Sequence, residues 1–531
     1  MTYSRLSAAL AVSFALHAVM PPPVLAQVRL PALGESVSGD FSISTEKRLG
    51  EQIMREVRRD PDYLDDPQLV DYVNSLWQPL VAAARERGEI TAETDTQFAW
   101  ETFLVRDRAV NAFALPGGYV GVYLGLISMT HSRDELAAVL AHELSHVTQR
   151  HIARSIVSSQ RQSLVGLAAM ILGVLAASRS SNGDAMQAVV TGSQAALAQA
   201  QLNFSRDMER EADRVGYGLM SAAGFSPAGV ASMFEKLEHA NRLNDTGAYP
   251  YLRSHPLTVE RIGEARSRTA FAGGAKLQTT LEHAVMQARA RVLMDSGVQA
   301  LRRQQGADSV GAAAPLAERI TALYASALAS TQLRDWARAD QAIERALSAL
   351  RAQAEPDAQA ERALQWLRVQ SLIARGDAQP ALKLIESLAN TPSRSALLLR
   401  AQAASAAVTA RVPQASAALR QSMEALQTWV SLHPHDAGAW NQLAQAAGQL
   451  GLKLRSVRAE AEARAAIGDL SGAVDRLGAV QRLARSAGAD DFIDASIVEA
   501  RLRDLEQQRR QLLAEMRAEG RRPAPDSDDS R

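Results

Sequence analysis

Cysteine is absent from the chain. That excludes disulfides, thiolate metal ligands and a cysteine nucleophile, so any metal must be held by histidine and carboxylates. Aromatic residues make up only 5% of the sequence although 47% is hydrophobic, and alanine dominates. That bias predicts a mainly helical protein with close helix–helix packing. An excess of either charge is also missing: 58 basic residues face 58 acidic ones. Nothing here suits bulk electrostatic binding of nucleic acid, which is not expected as a partner. Apolar runs long enough to span a bilayer are lacking as well. The longest, 164–177, is short of the ~20 residues a span needs. It reads as a hydrophobic helix over an active site or on a membrane surface, against the simpler alternative of a core helix.

The N-terminus carries Arg5 and then a mostly apolar stretch from Leu6 to Val19. Val24-Leu25-Ala26 fits small-residue cleavage, so 1–26 reads as a signal peptide cut near Ala26, with a membrane anchor as the alternative. No cysteine follows, which rules out a bacterial lipid anchor. Export without cysteine points to the periplasm of a Gram-negative bacterium. Residues 27–43 read as an extended leader.

The most informative stretch is Ala141-His142-Glu143-Leu144-Ser145-His146. Positions four apart on a helix share a face, so His142 and His146 can aim two imidazoles at one metal ion. Glu143 is placed to handle a proton on a metal-bound water, as in the H-E-x-x-H pattern of zinc peptidases. The pattern arises by chance roughly once in a few tens of thousands of residues, so it needs support from the rest of the chain. The carrying helix is expected over Ser132 to Ala153, with Ser132 as cap and Glu135 at the reciprocal capping-box position. Upstream, helices are expected over 44–59 and 66–87, the second with Pro79 as a possible kink. Phe98 to Val105 reads as a strand. Residues 111–115 and 119–123 flank Pro116-Gly117-Gly118 as a hairpin. Its edge could hold an extended peptide by backbone hydrogen bonds, or the hairpin could only pack on the helix.

A catalytic zinc takes three protein ligands and leaves one position to water. A downstream Gly and His at metzincin spacing are missing: Gln149 and Ile152 stand there, with His151 one place early. The third ligand should then be a carboxylate on another helix. Ala185 to Met220 reads as one long helix containing Glu209 and Asp213, four apart on one face. One of them can bind the metal while the other steadies a histidine ring. Glu211 points elsewhere. A charged, solvated face is the bland alternative for this run.

Four segments occur in order: Asn111-Ala-Phe-Ala-Leu-Pro-Gly-Gly, His142-Glu-Leu-Ser-His146, Glu209-Arg-Glu-Ala-Asp213, and Ser254-His255-Pro256 with Arg261-Ile262. Together they resemble the M48 family of zinc metallopeptidases, and most closely its periplasmic members with C-terminal tetratricopeptide repeats. The resemblance covers most of the chain. It implies a zincin-like metallopeptidase domain over 44–270, one Zn2+ per chain on His142, His146 and Glu209, and Glu143 as the catalytic proton carrier. It also implies that His255 lies on a loop near the metal. By chemistry, His255 or Arg261 could stabilise an oxyanion or cap the metal's open position, and a structural role for Arg261 fits equally. The chain departs from the integral-membrane members in having no full-length span.

Beyond about residue 270 strand signals vanish. Residues 271–315 read as a helical linker, with a loop over 304–314. From 316 to 517, Arg334-Asp335-Trp336, Gly376-Asp377, Gly468-Asp469 and the start of a unit at Trp440 mark about four degenerate tetratricopeptide-like helical pairs. A stack of such pairs forms a concave surface suited to protein recognition. Residues 518–531 are polar and read as disordered. The combined expectation is a mainly α protein: an α+β catalytic domain with a small hairpin sheet, then an α-helical solenoid. It would be a periplasmic endopeptidase acting on unfolded or stalled proteins in outer-membrane protein assembly. The repeats would contact the assembly machinery, and 164–177 would touch a membrane peripherally. A chaperone or assembly factor with a vestigial or latent peptidase site is the alternative.

Overall fold

The computed structural model describes residues 41–158, 205–243, 250–271 and, apart from breaks at 278, 312, 389–391 and 485–491, residues 277–518. The expected signal peptide, most of the leader, the apolar run 164–177 and the polar tail lie outside the described residues. The mainly α expectation holds: one small sheet is embedded among helices. None of these helices is long and apolar enough to cross a membrane.

Helix α1 (Ile43–Val57) starts at Ser42, whose hydroxyl accepts from the Thr45 backbone. After the two-residue β1 (Tyr63–Leu64), Asp66 caps α2 (Pro67–Glu86), which runs unbroken through Pro79. A short α3 (Ala92–Gln97) leads into β2 (Glu101–Val105), β3 (Ala112–Leu115) and β4 (Tyr119–Tyr123). The hairpin of β3 and β4 is antiparallel, with Ala114 opposite Val120. Its turn needs Gly118, where φ is +89° and an added Cβ would stand 2.8 Å from Phe98 Cβ. Sheet order is β1-β2-β4-β3, with β2 and β4 parallel, leaving β3 at an edge.

Alternation along β4 sorts its side chains between two layers. Val120 and Val122 join the core made with α2 and the helices beyond, while Tyr119 and Tyr123 pack with Leu49, Ile53 and Met54 of α1. The sheet is therefore covered on both faces. Helix α4 (Leu124–Met129) and α5 (Arg133–Thr148) follow. The helix expected through Ala153 instead ends at Gln149, and α6 (His151–Ser158) begins after a break. Arg150 makes that break with φ +52°. A non-glycine residue there costs about 1–3 kcal/mol and must be held in place. Its guanidinium is anchored in the interior by Glu46 at 2.9 Å and the Phe41 carbonyl at 2.8 Å. The capping box at Ser132 is also altered. Ser132 accepts from the Glu135 backbone, but Glu135 accepts from the His131 N–H and from Lys236 and Ser232.

Helix α7 (Arg206–Ala222) starts at Ser205, whose backbone is extended and whose hydroxyl accepts from the Met208 N–H. Of the single helix expected over Ala185 to Met220, the part before 205 lies outside the described residues, and the described part begins afresh at this cap. Its packing on α5 is close at Gly216, where a Cβ would approach Ala141 O to 3.1 Å and His142 N to 3.2 Å. Helices α8 (Ala228–Leu243), α9 (Pro250–Ser254) and α10 (Val259–Phe271) complete this half.

In the segment 271–315, α11 (Leu281–Met294) is mostly buried and α12 (Val298–Gln305) is followed by a 3-10 turn, so 304–309 is helical rather than loop. One continuous core passes from the sheet and α5 through α11 into the next helices. Five helical hairpins follow among the described residues, one more than the repeat signals suggested. They pair α13 (Leu316–Gln332) with α14 (Trp336–Arg351), α15 (Ala358–Arg375) with α16 (Ala378–Ser387), and α17 (Arg394–Thr409) with α18 (Ala415–Leu432). Then α19 (Ala437–Gln449) pairs with α20 (Lys453–Ala466), and α21 (Leu470–Ala484) with α22 (Phe492–Ala518). The start of α2 ties them down. Arg394 forks Asp65 and Asp436 with four contacts of 2.7 Å, and Arg289 of α11 forks Asp66 at 2.6 and 2.7 Å.

Candidate metal centre

Helix α5 is buried on nearly every side although half of its residues are polar, so those side chains have to find partners inside. His142 and His146 do so against α7 and the residue after α9. Four buried side chains, His142, His146, Glu209 and His255, each bring one ligand atom within 4.8 Å of the others. No other such group of three or more occurs among the described residues. His142 Nε2 lies 3.0 Å from His146 Nε2 and 3.4 Å from Glu209 Oε2, and His146 Nε2 lies 3.5 Å from Glu209 Oε1. His255 Nδ1 closes the group at 3.0 Å from Glu209 Oε1 and 3.3 Å from His142 Nε2.

The donor set fits a divalent metal. Imidazole nitrogens and a carboxylate are the ligands zinc favours without thiolates. The ring nitrogens of His142, His146 and His255 gather around the Glu209 carboxylate, whose Oε2 is met by cationic or ring groups only, Arg261 Nη1 at 2.9 Å and His142 Nε2 at 3.4 Å. Electrostatics agree. Burial pulls the His142 pKa down, but Asp213 and Glu209 outweigh it and raise it to about 10. Burial raises the Glu209 pKa, yet His255 and His142 hold the carboxyl well below the usual range. His146 is pushed well below its ordinary value by burial and by the neighbouring His142.

Around this group the structure places the remaining candidates. Glu143 is fully buried, with Oε1 3.4 Å from His255 Nε2 and the Ala114 backbone N–H of β3 turned to its carboxylate. Burial raises its pKa, with His255 and His142 opposing. Asp213 Oδ1 stands 3.0 Å from His142 Nδ1. Arg261 is wholly engaged: Nε and Nη2 hold Asp213 at 2.6 and 2.8 Å, and Nη1 donates to Pro256 O at 2.9 Å while lying 2.9 Å from Glu209 Oε2. Tyr251, one turn before His255, packs against that ring at a tilt of 32°, with centroids 4.7 Å apart.

Sequence reasoning passed over His151 and Glu211. His151 Nδ1 lies 2.8 Å from His146 Nδ1, its Nε2 lies 3.1 Å from Glu211 Oε2, and Arg154 donates to the same carboxylate at 2.7 Å. The recurrence of carboxylates at 209, 211 and 213 was the available signal. Glu211 does point away from the four-residue cluster, but toward a histidine that touches it.

The chain is similar to known proteins. A "Putative beta-barrel assembly-enhancing protease" of Vibrio cholerae is 34% identical over 274 residues, 51% of this chain and only 54% of that protein, about half its length. The "Beta-barrel assembly-enhancing protease" of Escherichia coli is 28% identical over 450 residues, 84% of this chain and 86% of that one. A mitochondrial metalloendopeptidase of Schizosaccharomyces pombe is 31% identical over 229 residues, 42% of this chain and 60% of that one. The model of peptidase family M48 matches 80–269. That segment, which holds every residue of the buried cluster, is a metallopeptidase domain of peptidase family M48.

Proposed function

We propose that this chain is a periplasmic zinc endopeptidase that hydrolyses peptide bonds of misfolded or stalled proteins during outer-membrane β-barrel assembly. The observation that carries the reading is the convergence of His142, His146 and Glu209 beside a fully buried Glu143. The names of the bacterial relatives support the setting, and the N-terminal apolar segment supports export. Helical hairpins from 316 to 517 would serve as a tetratricopeptide-type surface for clients or assembly machinery. The apolar run 164–177 would rest on a membrane surface.

His142, His146 and Glu209 would hold one zinc ion. When bound, zinc supplies an acidified water and a positive charge for the developing oxyanion. Glu143 takes the water's proton on its carboxylate and returns it to the leaving amine nitrogen. Its raised pKa suits that exchange. Edge strand β3 receives the substrate as an added strand and lines its backbone up beside Glu143. Asp213 and Arg261 hold His142 and Glu209 in orientation rather than touching substrate.

His255 favours a second element of the reading, a latent resting state. Its Nδ1 stands among the ligand atoms, in the space that water and a substrate carbonyl require. Activity then requires His255 to withdraw. Zinc content of the full chain tests the ligand set. One zinc per chain is expected, and Glu209→Ala should lose it together with cleavage of an unfolded outer-membrane protein. Retention of one zinc in that variant would remove Glu209 from the set.

A further inference from the structure

Both histidines of α5 need a fixed tautomer to present Nε2 to a metal, and each has a different partner behind its ring. For His142 the partner is a carboxylate, Asp213, which can only accept. His142 Nδ1 therefore carries the hydrogen and Nε2 faces the cluster. For His146 the partner is another histidine, His151, with 2.8 Å between the two Nδ1 atoms. Two ring nitrogens at that distance share one hydrogen, and which ring owns it is decided one step further out. His151 Nε2 lies 3.1 Å from Glu211 Oε2, again an acceptor, so His151 donates there through Nε2–H. Neutral His151 then has its lone pair on Nδ1, and His146 must supply the Nδ1–H. Arg154 fixes Glu211 from the far side at 2.7 Å. His151 is itself fully buried, so water does not take over this task.

We propose that His151 and Glu211 form a positioning relay that locks His146 as the Nδ1–H tautomer and so sets the metal affinity of the site. The relay rests on the reading of His146 as a ligand. Carboxylates 209, 211 and 213 thereby divide the work: one binds, one orients His142 directly, and one orients His146 through an intervening ring. Outer hydrogen-bond partners of metal-bound histidines commonly control about 10–100-fold in metal affinity.

The test is zinc affinity of the full-length chain by competition with a chromophoric chelator, alongside thermal unfolding of the chelated protein. His151→Leu fills the same space without an acceptor and should weaken zinc binding by roughly 10–100-fold. His151→Gln can accept from His146 and donate to Glu211, so it should restore affinity to within a few-fold. Glu211→Ala removes a partly buried acceptor outside the fully buried ring pair and should give an intermediate loss even if His151→Leu folds poorly. Nitrogen-15 NMR of the chelated wild type should show a hydrogen-bonded His146 Nδ1–H that His151→Leu loses. Wild-type zinc affinity in both His151→Leu and Glu211→Ala would overturn the relay. If His146→Ala also kept its zinc, the ligand assignment would fail instead, which separates the two readings.

Discussion

Asp213 bridges a ligand histidine and an arginine, with its Oδ1 3.0 Å from His142 Nδ1 and both oxygens forked by Arg261. Burial raises its pKa, but His142 and Arg261 reverse that and keep the carboxyl ionised. Removing it frees the His142 ring and strands a guanidinium that is only 4% exposed. Asp213→Ala should lower zinc affinity by about 10–100-fold, while Asp213→Asn, which still accepts from His142, should lose less. Chelator competition measures both, and equal affinities for Ala, Asn and wild type would refute the role.

His255 offers a test of latency. His255→Ala vacates the space among the ligand atoms and leaves His142, His146 and Glu209 in the chain, at the loss of its contacts to Glu209 and His142. Zinc content should stay at one per chain, and cleavage of an unfolded outer-membrane protein should rise several-fold. A fall in cleavage with zinc retained would make His255 an oxyanion donor instead of a gate.

Acid stability should depend on His283, where α11 meets α2. Its Nε2–H donates to Thr130 O at 3.0 Å, and its Nδ1 accepts from the Tyr72 hydroxyl at 2.6 Å. A second proton would set two donors face to face. Burial lowers its pKa from 6.5 to about 4. Above pH ~6.5 the ring is neutral whether folded or not and contributes no pH dependence. Between ~6.5 and ~4 the unfolded chain takes up a proton that the folded one refuses, so stability falls with pH, by up to about 3 kcal/mol. Denaturant titration of chelated protein at several pH values should show this limb flattened in His283→Gln. An unchanged limb would exclude His283 as its source.

What the sequence made legible was local. His142, Glu143 and His146 share one helical turn, and Pro116-Gly117-Gly118 between two apolar runs specifies a hairpin. Glu209 and Asp213 were paired by their spacing of four, with the family resemblance choosing between them. What remained hidden depends on distant partners. The break at Arg150 is held by Glu46, 104 residues upstream, and the His151–Glu211 pair spans 60 residues. Two-residue β1 carries no periodicity. Ser205 as the cap of α7 went unread because the helix-favouring run around it offers no break in pattern. Burial of α11 was missed for a similar reason, since its partners come from α2, α4 and α13 rather than from its own neighbours.

The central claim is that Glu143 carries the proton while His142, His146 and Glu209 hold the metal. Zinc content and cleavage of an unfolded outer-membrane protein, measured side by side for wild type and Glu143→Gln, test it most directly. The expected result is one zinc per chain in both and a loss of cleavage of about 10²–10⁴-fold in the variant. Cleavage at the wild-type rate by Glu143→Gln would contradict it.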